Sequence, residues 1–479
     1  MLKNFEATIL KAYSNTIFPA FFSGWTLLTF LVSFNTYFGA GYLSTASSQP
    51  CFPNIQGCKK IFEYINLIPL PYGYSEAIFF TILFGLIVLG AYSLYAKKYL
   101  TTYTVLWILL LLKIFIILTN YGLGNFDYYD VILILIFLIY PARIDLVKLA
   151  FVLLYSLAST IKIHEGWIVG TYFSTLYYGL PLIPFTLIPV ATNIVIIMQM
   201  VGCLLLLHSN KKVRDYTFYF FVFFHLYSTI IVGYRYPITS LLSLLVIFLV
   251  TQNTIIKKDY TFSKNNLFFY IIIVLLFCGQ MLPYAIGGDQ KFTLEANNYG
   301  LYMFEANHQC ISTITTADIT YKFFSYDARN RCDPYVILYQ YKQKYCKNPE
   351  TKILWTLDHS INGKPFKRMV DTQDMCKLSY ESFTHNTWIF TEKQASTTGL
   401  PYKNIVLARN GIDAGVISNN GYLYPPFLSF SKPVEKTSLQ KFMDDNLRIL
   451  VTFYWTLWIA TLLYMLYFAM DFKHTKLDK

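Results

Sequence analysis

The sequence predicts an α-helical multi-pass membrane protein of about ten spans, carrying a mainly β domain on the extracytoplasmic side. Three observations lead there. Hydrophobic residues make up 55% of the chain and charged residues only 14%, where a soluble chain carries roughly a quarter charged. Lysine and arginine cluster in alternate loops between apolar runs. The six cysteines outside those runs all fall on the opposite side from the basic loops.

A crossing needs about 17–25 apolar residues. Runs of this kind lie at about 17–38, 76–95, 102–119, 128–141, 146–160, 184–207, 216–233, 237–255, 266–284 and 448–470. The fourth and fifth are short enough to be tilted, re-entrant or one broken pair. The first is too long for a cleavable signal and lacks a small-residue cleavage site, so it is expected to remain as an anchor. Lys3 and Lys11 precede the first run, and Lys97 and Lys98 follow the second. Arg143 and Lys148 follow the fourth, Lys211, Lys212 and Arg214 the sixth, and Lys257, Lys258 and Lys264 the eighth. Lys473, Lys476 and Lys479 form the tail. The positive-inside rule then puts both termini in the cytoplasm, and a bacterial inner or plasma membrane is the expected location. These loops account for the net charge of +12, so the expected partner is membrane lipid and not nucleic acid. The 41 Phe and 41 Tyr suit bilayer interfaces, where an apolar ring and a polar tip are both satisfied.

Cys203 and Cys278 fall inside runs, whereas Cys51, Cys58, Cys310, Cys332, Cys346 and Cys376 lie outside the membrane. An even number of thiols in an oxidising compartment points to disulfides. Cys51–Cys58 closes a short loop; the other four allow three connectivities. The chain divides into a membrane domain at 1–284, an extracytoplasmic domain at 285–447, and a closing span with its tail at 448–479. The middle unit is polar and rich in turn signals. Asn362-Gly363, Asn410-Gly411 and Asn420-Gly421 are hairpin dipeptides, flanked by β-prone stretches such as Ile353–Leu357 and Asn404–Ala408. One helix is expected at Pro334–Tyr345, with Asp333 as N-cap and proline in the first helical position.

Ionisable residues within or beside spans are costly and pose the chemical questions. The fifth run exits through Tyr155 to Gly170, placing Lys162 and His164 at the external boundary just before Trp167. One reading is a snorkelling lysine with an interfacial His and Trp. The other is a lysine in an apolar pocket, where burial disfavours the ammonium form and leaves an amine able to act as a base. His225 lies mid-span, where a helix neighbour or a catalytic role accounts for it. Lys113 with Asp130, beside Asp127, reads as a buried structural pair in preference to a proton path. The sequence contains no phosphate-binding loop, no GxSxG elbow and no HExxH pair, and its histidines are scattered, so no metal site is expected.

The stretch Ala158–Gly170, with Lys162, Trp167 and Gly170, resembles the AG-x-K-x4-W-x2-G segment of vitamin K-dependent γ-carboxylases in the horizontally transferred transmembrane family. Further segments follow in the same order. Ile68-Pro69-Leu70-Pro71 is similar to the family's Arg-Pro-Leu-Pro, and Phe224-His225 with Gly233–Pro237 to its Phe-His…Gly-x-(Phe/Tyr) pair. Tyr299–Phe304 matches the start of its luminal domain, and Ser360–Pro365 with Asp371 its S-(I/L)-N-G-R-P…D strand and turn. The resemblance spans most of 17–380 and does not extend past about 385.

The resemblance implies a carboxylase (lyase) chemistry. A lysine base deprotonates reduced vitamin K, oxygen is consumed, and the strong base so formed removes a γ-proton from glutamate, which takes up carbon dioxide. Lys162 matches that base and His225 the family's membrane histidine, with Asn125, His164 and Trp167 as substrate-binding candidates. Two positions depart. The family's Asn-His pair reads Asn125-Phe126 here, and its arginine reads Ile68. Losing both would leave a developing oxyanion without polar partners, so Lys162 could serve another quinone or lipid-soluble substrate. Three readings stay open: a γ-carboxylase-like enzyme modifying an exported peptide, a non-catalytic or differently catalytic maturation factor for a secreted peptide or toxin, and a transporter or receptor. Transport would call for internally repeated helix groups, and none is evident.

Overall fold

The computed structural model describes residues 2–39, 50–55, 58–61, 74–176, 179–232, 235–251, 266–302, 306–316, 320–325, 332–347, 352–399 and 435–471. The Ile68–Pro71 segment, the Asn410-Gly411 and Asn420-Gly421 dipeptides, the Asn404–Ala408 stretch, and the basic residues at 257, 258, 264 and in the tail lie outside the described residues. So do Gly233-Tyr234 and the side chain of Asn125.

The chain is mostly helical. In order come α1 (Leu2–Asn15), α2 (Phe18–Gly39), α3 (Tyr74–Tyr95), α4 (Tyr99–Leu118), α5 (Gly124–Ile139) and α6 (Ile144–Ser159). Two short helices follow, α7 (Glu165–Ile168) and α8 (Thr171–Ser174). Then come α9 (Ile188–Met200), α10 (Lys211–Val232), α11 (Arg235–Leu244) and α12 (Leu267–Ala285). Among the described residues six helices are long and apolar enough to cross a membrane: α2, α3, α4, α6 with its following turn, α12, and the closing helix α15 (Leu447–Asp471). Of the remaining segments, α5 has 16 residues, and α10 has 22 but opens on the charged Lys211, Lys212, Arg214 and Asp215; the other two are broken. The run expected at 184–207 is a 3-10 turn, then the 13 residues of α9, then a second 3-10 turn at Gly202–Leu207. There a Cβ on Gly202 would sit 2.7 Å from the Met198 sulfur. The run at 237–255 is α11 continued by a π turn at Leu245–Leu249.

Close approach holds the first helices together. A Cβ on Gly90 would lie 2.8 Å from Leu27 Cδ2 and 3.2 Å from Val105 Cγ1, so glycine lets α3 settle against both α2 and α4. Lys113 of α4 is fully buried, its Nζ 3.1 Å from both Asp127 Oδ1 and Asp130 Oδ2 and 3.0 Å from Ser33 Oγ. The expected pair is therefore joined by a second carboxylate. At the far end of α4, Lys60 donates to the Thr119 carbonyl and, at 2.7 Å, to Asn120 Oδ1. Helix C-termini favour such a cation.

The other unit is built on a four-stranded antiparallel sheet ordered β2-β1-β3-β4, from β1 (His308–Thr315), β2 (Thr320–Ser325), β3 (Leu354–Ile361) and β4 (Lys367–Thr372). Asn362 (φ 51°) and Gly363 (φ 73°) turn β3 into β4, and Lys364 N–H closes the turn on the Ile361 carbonyl at 3.1 Å. Two consecutive positive φ values make this a type I′ turn, which Asn-Gly fits best. Helix α13 (Pro334–Tyr345) starts at Asp333, whose Oδ1 accepts from Tyr335 N at 2.9 Å and Val336 N at 3.4 Å. Trp355, Leu357, Met369, Val370 and Ile389 are fully buried in this unit's own core. The six external cysteines pair as Cys51–Cys58, Cys310–Cys332 and Cys346–Cys376. The last two lie in this unit and fit an oxidising, extracytoplasmic compartment for it. Helix α14 (Ser438–Asp445), started by a Thr437–Gln440 capping box, leads into α15.

Candidate functional site

Helix α6 does not run straight out of the membrane. It tightens into a 3-10 turn over Thr160–Lys162, and the backbone then reverses through α7 and α8. His164 has extended backbone, and its Nδ1 accepts from Gly166 N at 3.0 Å, so it is the N-cap of α7. Gly170 takes φ +77°, with its absent Cβ facing Ile188 Cγ2 at 3.0 Å and Pro189 N at 3.2 Å. A side chain there would be strained and would strike α9, so glycine is needed twice over.

This reversal walls one side of a cavity of about 460 Å³. Lys162, Trp167, Tyr155, Tyr172 and Phe173 line it from the α6–α8 side, and Val195, Gln199, Phe224, Tyr227 and Ser240 from α9, α10 and α11. Lys162 is 8% exposed, and its Nζ lies 4.9 Å from the centre of the Trp167 ring. Trp167 is fixed by Phe173, edge to face at 4.9 Å. Tyr155 links the cavity to His225: its hydroxyl bonds His225 Nε2, with the rings perpendicular and 5.7 Å apart.

Lys162 and Trp167 thus share one cavity, and the fully buried His225 reaches it through Tyr155. His164 is not among the lining residues; it organises the turn that carries Lys162 and Trp167. Tyr155 and Gln199 were not singled out by sequence reasoning. A glutamine within the apolar run of α9 was the available signal for the second.

The disulfide-bonded unit holds this wall from outside. Lys364, in the β3–β4 turn, forms an ion pair with Glu165, and Lys436 Nζ lies 3.5 Å from the same carboxylate. Burial pulls the Lys364 amine down, but Glu165, together with Glu392 and Asp444, turns the net shift upward. Asn307 Nδ2 donates to the Tyr172 carbonyl at 2.9 Å, and Lys291 Nζ to that of Ile161 at 2.9 Å. Gln440 Nε2 of α14 donates to the Val169 carbonyl and to Ser174 Oγ, both at 3.1 Å.

Among the described residues no group of three or more His, Cys, Asp or Glu could hold a metal ion. No protein-family model, curated protein or solved structure matches the chain. Chemically, the arrangement offers an apolar, aromatic slot with one amine, one tyrosine backed by histidine, and one amide.

Proposed function

We propose that the chain is a γ-carboxylase-like integral membrane enzyme that uses Lys162 as a base on a reduced quinone or similar lipid-soluble substrate to modify an exported peptide. In this reading it crosses the membrane about ten times. The segments α5, α9, α10 and α11 supply the crossings beyond the six long apolar helices, and both termini lie in the cytoplasm. The observation that carries the proposal is the placement of the Lys162 amine in the wall of the aromatic cavity. Its volume of about 460 Å³ falls within the range of about 300–1,000 Å³ for small-molecule sites. The sparse polar lining suits a reduced vitamin K or another quinone, which presents an apolar ring and a phenolic hydroxyl. Such a cofactor would supply the reducing equivalents and, after oxygen is consumed, the strong base. Trp167 and Phe173 would hold the ring, Lys162 Nζ would take the hydroxyl proton, and Tyr155 backed by His225 would stand ready to hydrogen-bond an oxygen.

General-base catalysis contributes roughly 10²–10⁴-fold. Lys162→Ala should therefore remove that much activity while membrane insertion is kept. Mass spectrometry of exported peptides, with and without the protein, would look for an added carboxyl group. An unaltered product profile in Lys162→Ala would exclude the lysine-base mechanism. The second reading, a non-catalytic or differently catalytic maturation factor for a secreted peptide or toxin, is favoured by Phe126 and Ile68 standing where the resembled family has histidine and arginine. It expects peptide export to survive Lys162→Ala. Phe126→His separates the two further, because only the first reading expects it to raise quinone epoxidation.

A further inference from the structure

A second concavity lies in the opposite half of the membrane unit. Helices α2, α3 and the start of α4 enclose a groove of about 560 Å³. Its walls are apolar stripes at helical spacing: Ala20, Gly24, Leu27 and Leu31 on α2 face Ile87 and Leu94 on α3. Gly24 leaves the floor open, since a Cβ there would meet only Leu94 Cδ2, at 3.9 Å. From Ala20 to Leu31 the groove covers eleven residue rises, about 16 Å. One leaflet's share of a hydrocarbon core about 30 Å thick is about 15 Å. The groove is therefore one acyl chain long.

Its mouth is basic. Lys97 and Tyr95 line that end, with Tyr99, and none of the lining residues is acidic. Lys98 is next in sequence, its Nζ 6.0 Å from the centre of the exposed Tyr92 ring. Lys98 N–H bonds the Ser93 carbonyl at 2.8 Å and Lys97 N–H the Leu94 carbonyl at 3.1 Å, while Lys97 takes φ +56°. This is a Schellman motif with lysine in the left-handed position that normally falls to glycine. The motif fixes the backbone of Lys97 at the mouth of the groove. The mouth also lies in the leaflet away from the disulfide-bonded unit, because α4 starts here and its other end, capped by Thr119, meets Lys60 just past Cys58, while the Cys51 carbonyl accepts from the Tyr335 hydroxyl of that unit.

We propose that this groove binds an anionic phospholipid, one acyl chain lying between α2 and α3 and the phosphate held by Lys97 and Lys98. The test uses the full-length protein in detergent micelles, with native mass spectrometry reading retention of phosphatidylglycerol against phosphatidylcholine of identical acyl chains. Wild type should retain one phosphatidylglycerol in preference. Lys97→Gly should lower that preference about fivefold, the loss expected for one basic residue at a charged membrane surface, and Lys97→Arg should keep it. Glycine is the residue the left-handed backbone favours, so Lys97→Gly tests the charge without endangering the fold. Gly24→Leu, which fills the floor and leaves both lysines, should weaken retention of the lipid. Equal retention of the two lipids by wild type, wild-type preference in Lys97→Gly, or wild-type retention in Gly24→Leu would each overturn the proposal.

Discussion

Lys113 is enclosed by Asp127, Asp130 and Ser33 at 3.0–3.1 Å, with no side-chain exposure. Removing one member of a buried ion group leaves an uncompensated charge and costs about 3–5 kcal/mol. Lys113→Met should therefore lower the thermal unfolding midpoint of the detergent-solubilised protein sharply, and adding Asp127→Asn and Asp130→Asn should recover much of the loss. A Lys113→Met protein as stable as wild type would mean that the triad contributes no net stabilisation. The pairing of Lys113 with Asp130 was legible because both ionisable residues sit in neighbouring apolar runs; Ser33 was not, being 80 positions away. Gly166 makes the complementary case. A Cβ there would fall 2.6 Å from His164 Cε1 and 2.7 Å from Asn362 Nδ2. Gly166→Ala should thus displace the His164 cap and the β3–β4 turn together, exposing residues 164–175 to limited proteolysis. Unchanged cleavage would show that the contact yields freely.

Strand β3 places His359 in the core of the external unit beside His308 of β1. The Phe292 carbonyl, which can only accept, lies 2.9 Å from His359 Nδ1, so that nitrogen carries the proton. His359 Nε2 is then the acceptor, and His308 Nδ1, at 3.0 Å, the donor. Burial, then His308, hold the His359 pKa well below its ordinary value, against the opposing Phe292 carbonyl. At mildly acidic pH folded His359 therefore binds fewer protons than unfolded His359. The associated stability is complete above the unfolded value of about 6.5 and drains away as pH falls through it toward the folded one. Hydrogen exchange of β1 and β3 amides, corrected for its intrinsic pH dependence, should show protection falling from pH 7.5 to 5.5. His359→Gln should flatten the trend, and constant protection in wild type would refute it. At this scale the sequence was informative where signals are local: Asp333-Pro334 started α13, and Asn362-Gly363 turned β3 into β4. It was weak where they are not. Periodicity joined α9 to the following 3-10 turn as one run, and cysteine spacing left three pairings open for residues that meet only once the sheet has formed.

The cavity and the external unit are joined by contacts that no local pattern encodes. Lys291, Asn307, Lys364 and Gln440 reach Ile161, Tyr172, Glu165, Val169 and Ser174 across 130 to 271 residues of sequence. Lys162 and Trp167 could be picked out as candidates from their own segment, but the cavity around them arises only when α6 reverses and the external unit closes over the reversal. The two chain regions should then be coupled: loosening the external contacts should loosen the cavity wall before it unfolds the sheet. A net intramolecular hydrogen bond is worth about 1 kcal/mol, or roughly fivefold in a local opening equilibrium. The Lys364–Glu165 pair is partly exposed, its lysine side chain 43% accessible, and contributes less. Gln440 donates twice, so Gln440→Ala carries most of the expected effect. The double variant Gln440→Ala, Lys364→Ala should speed amide exchange at residues 164–175 by about tenfold or more, while β1 and β3 exchange as in wild type. The same variant should shift any Lys162-dependent activity with the exchange rates, because that amine is held by the same wall. Raised exchange throughout the sheet would show one cooperative unit in place of a clamp, and unchanged exchange at 164–175 would show that the wall stands without the external unit.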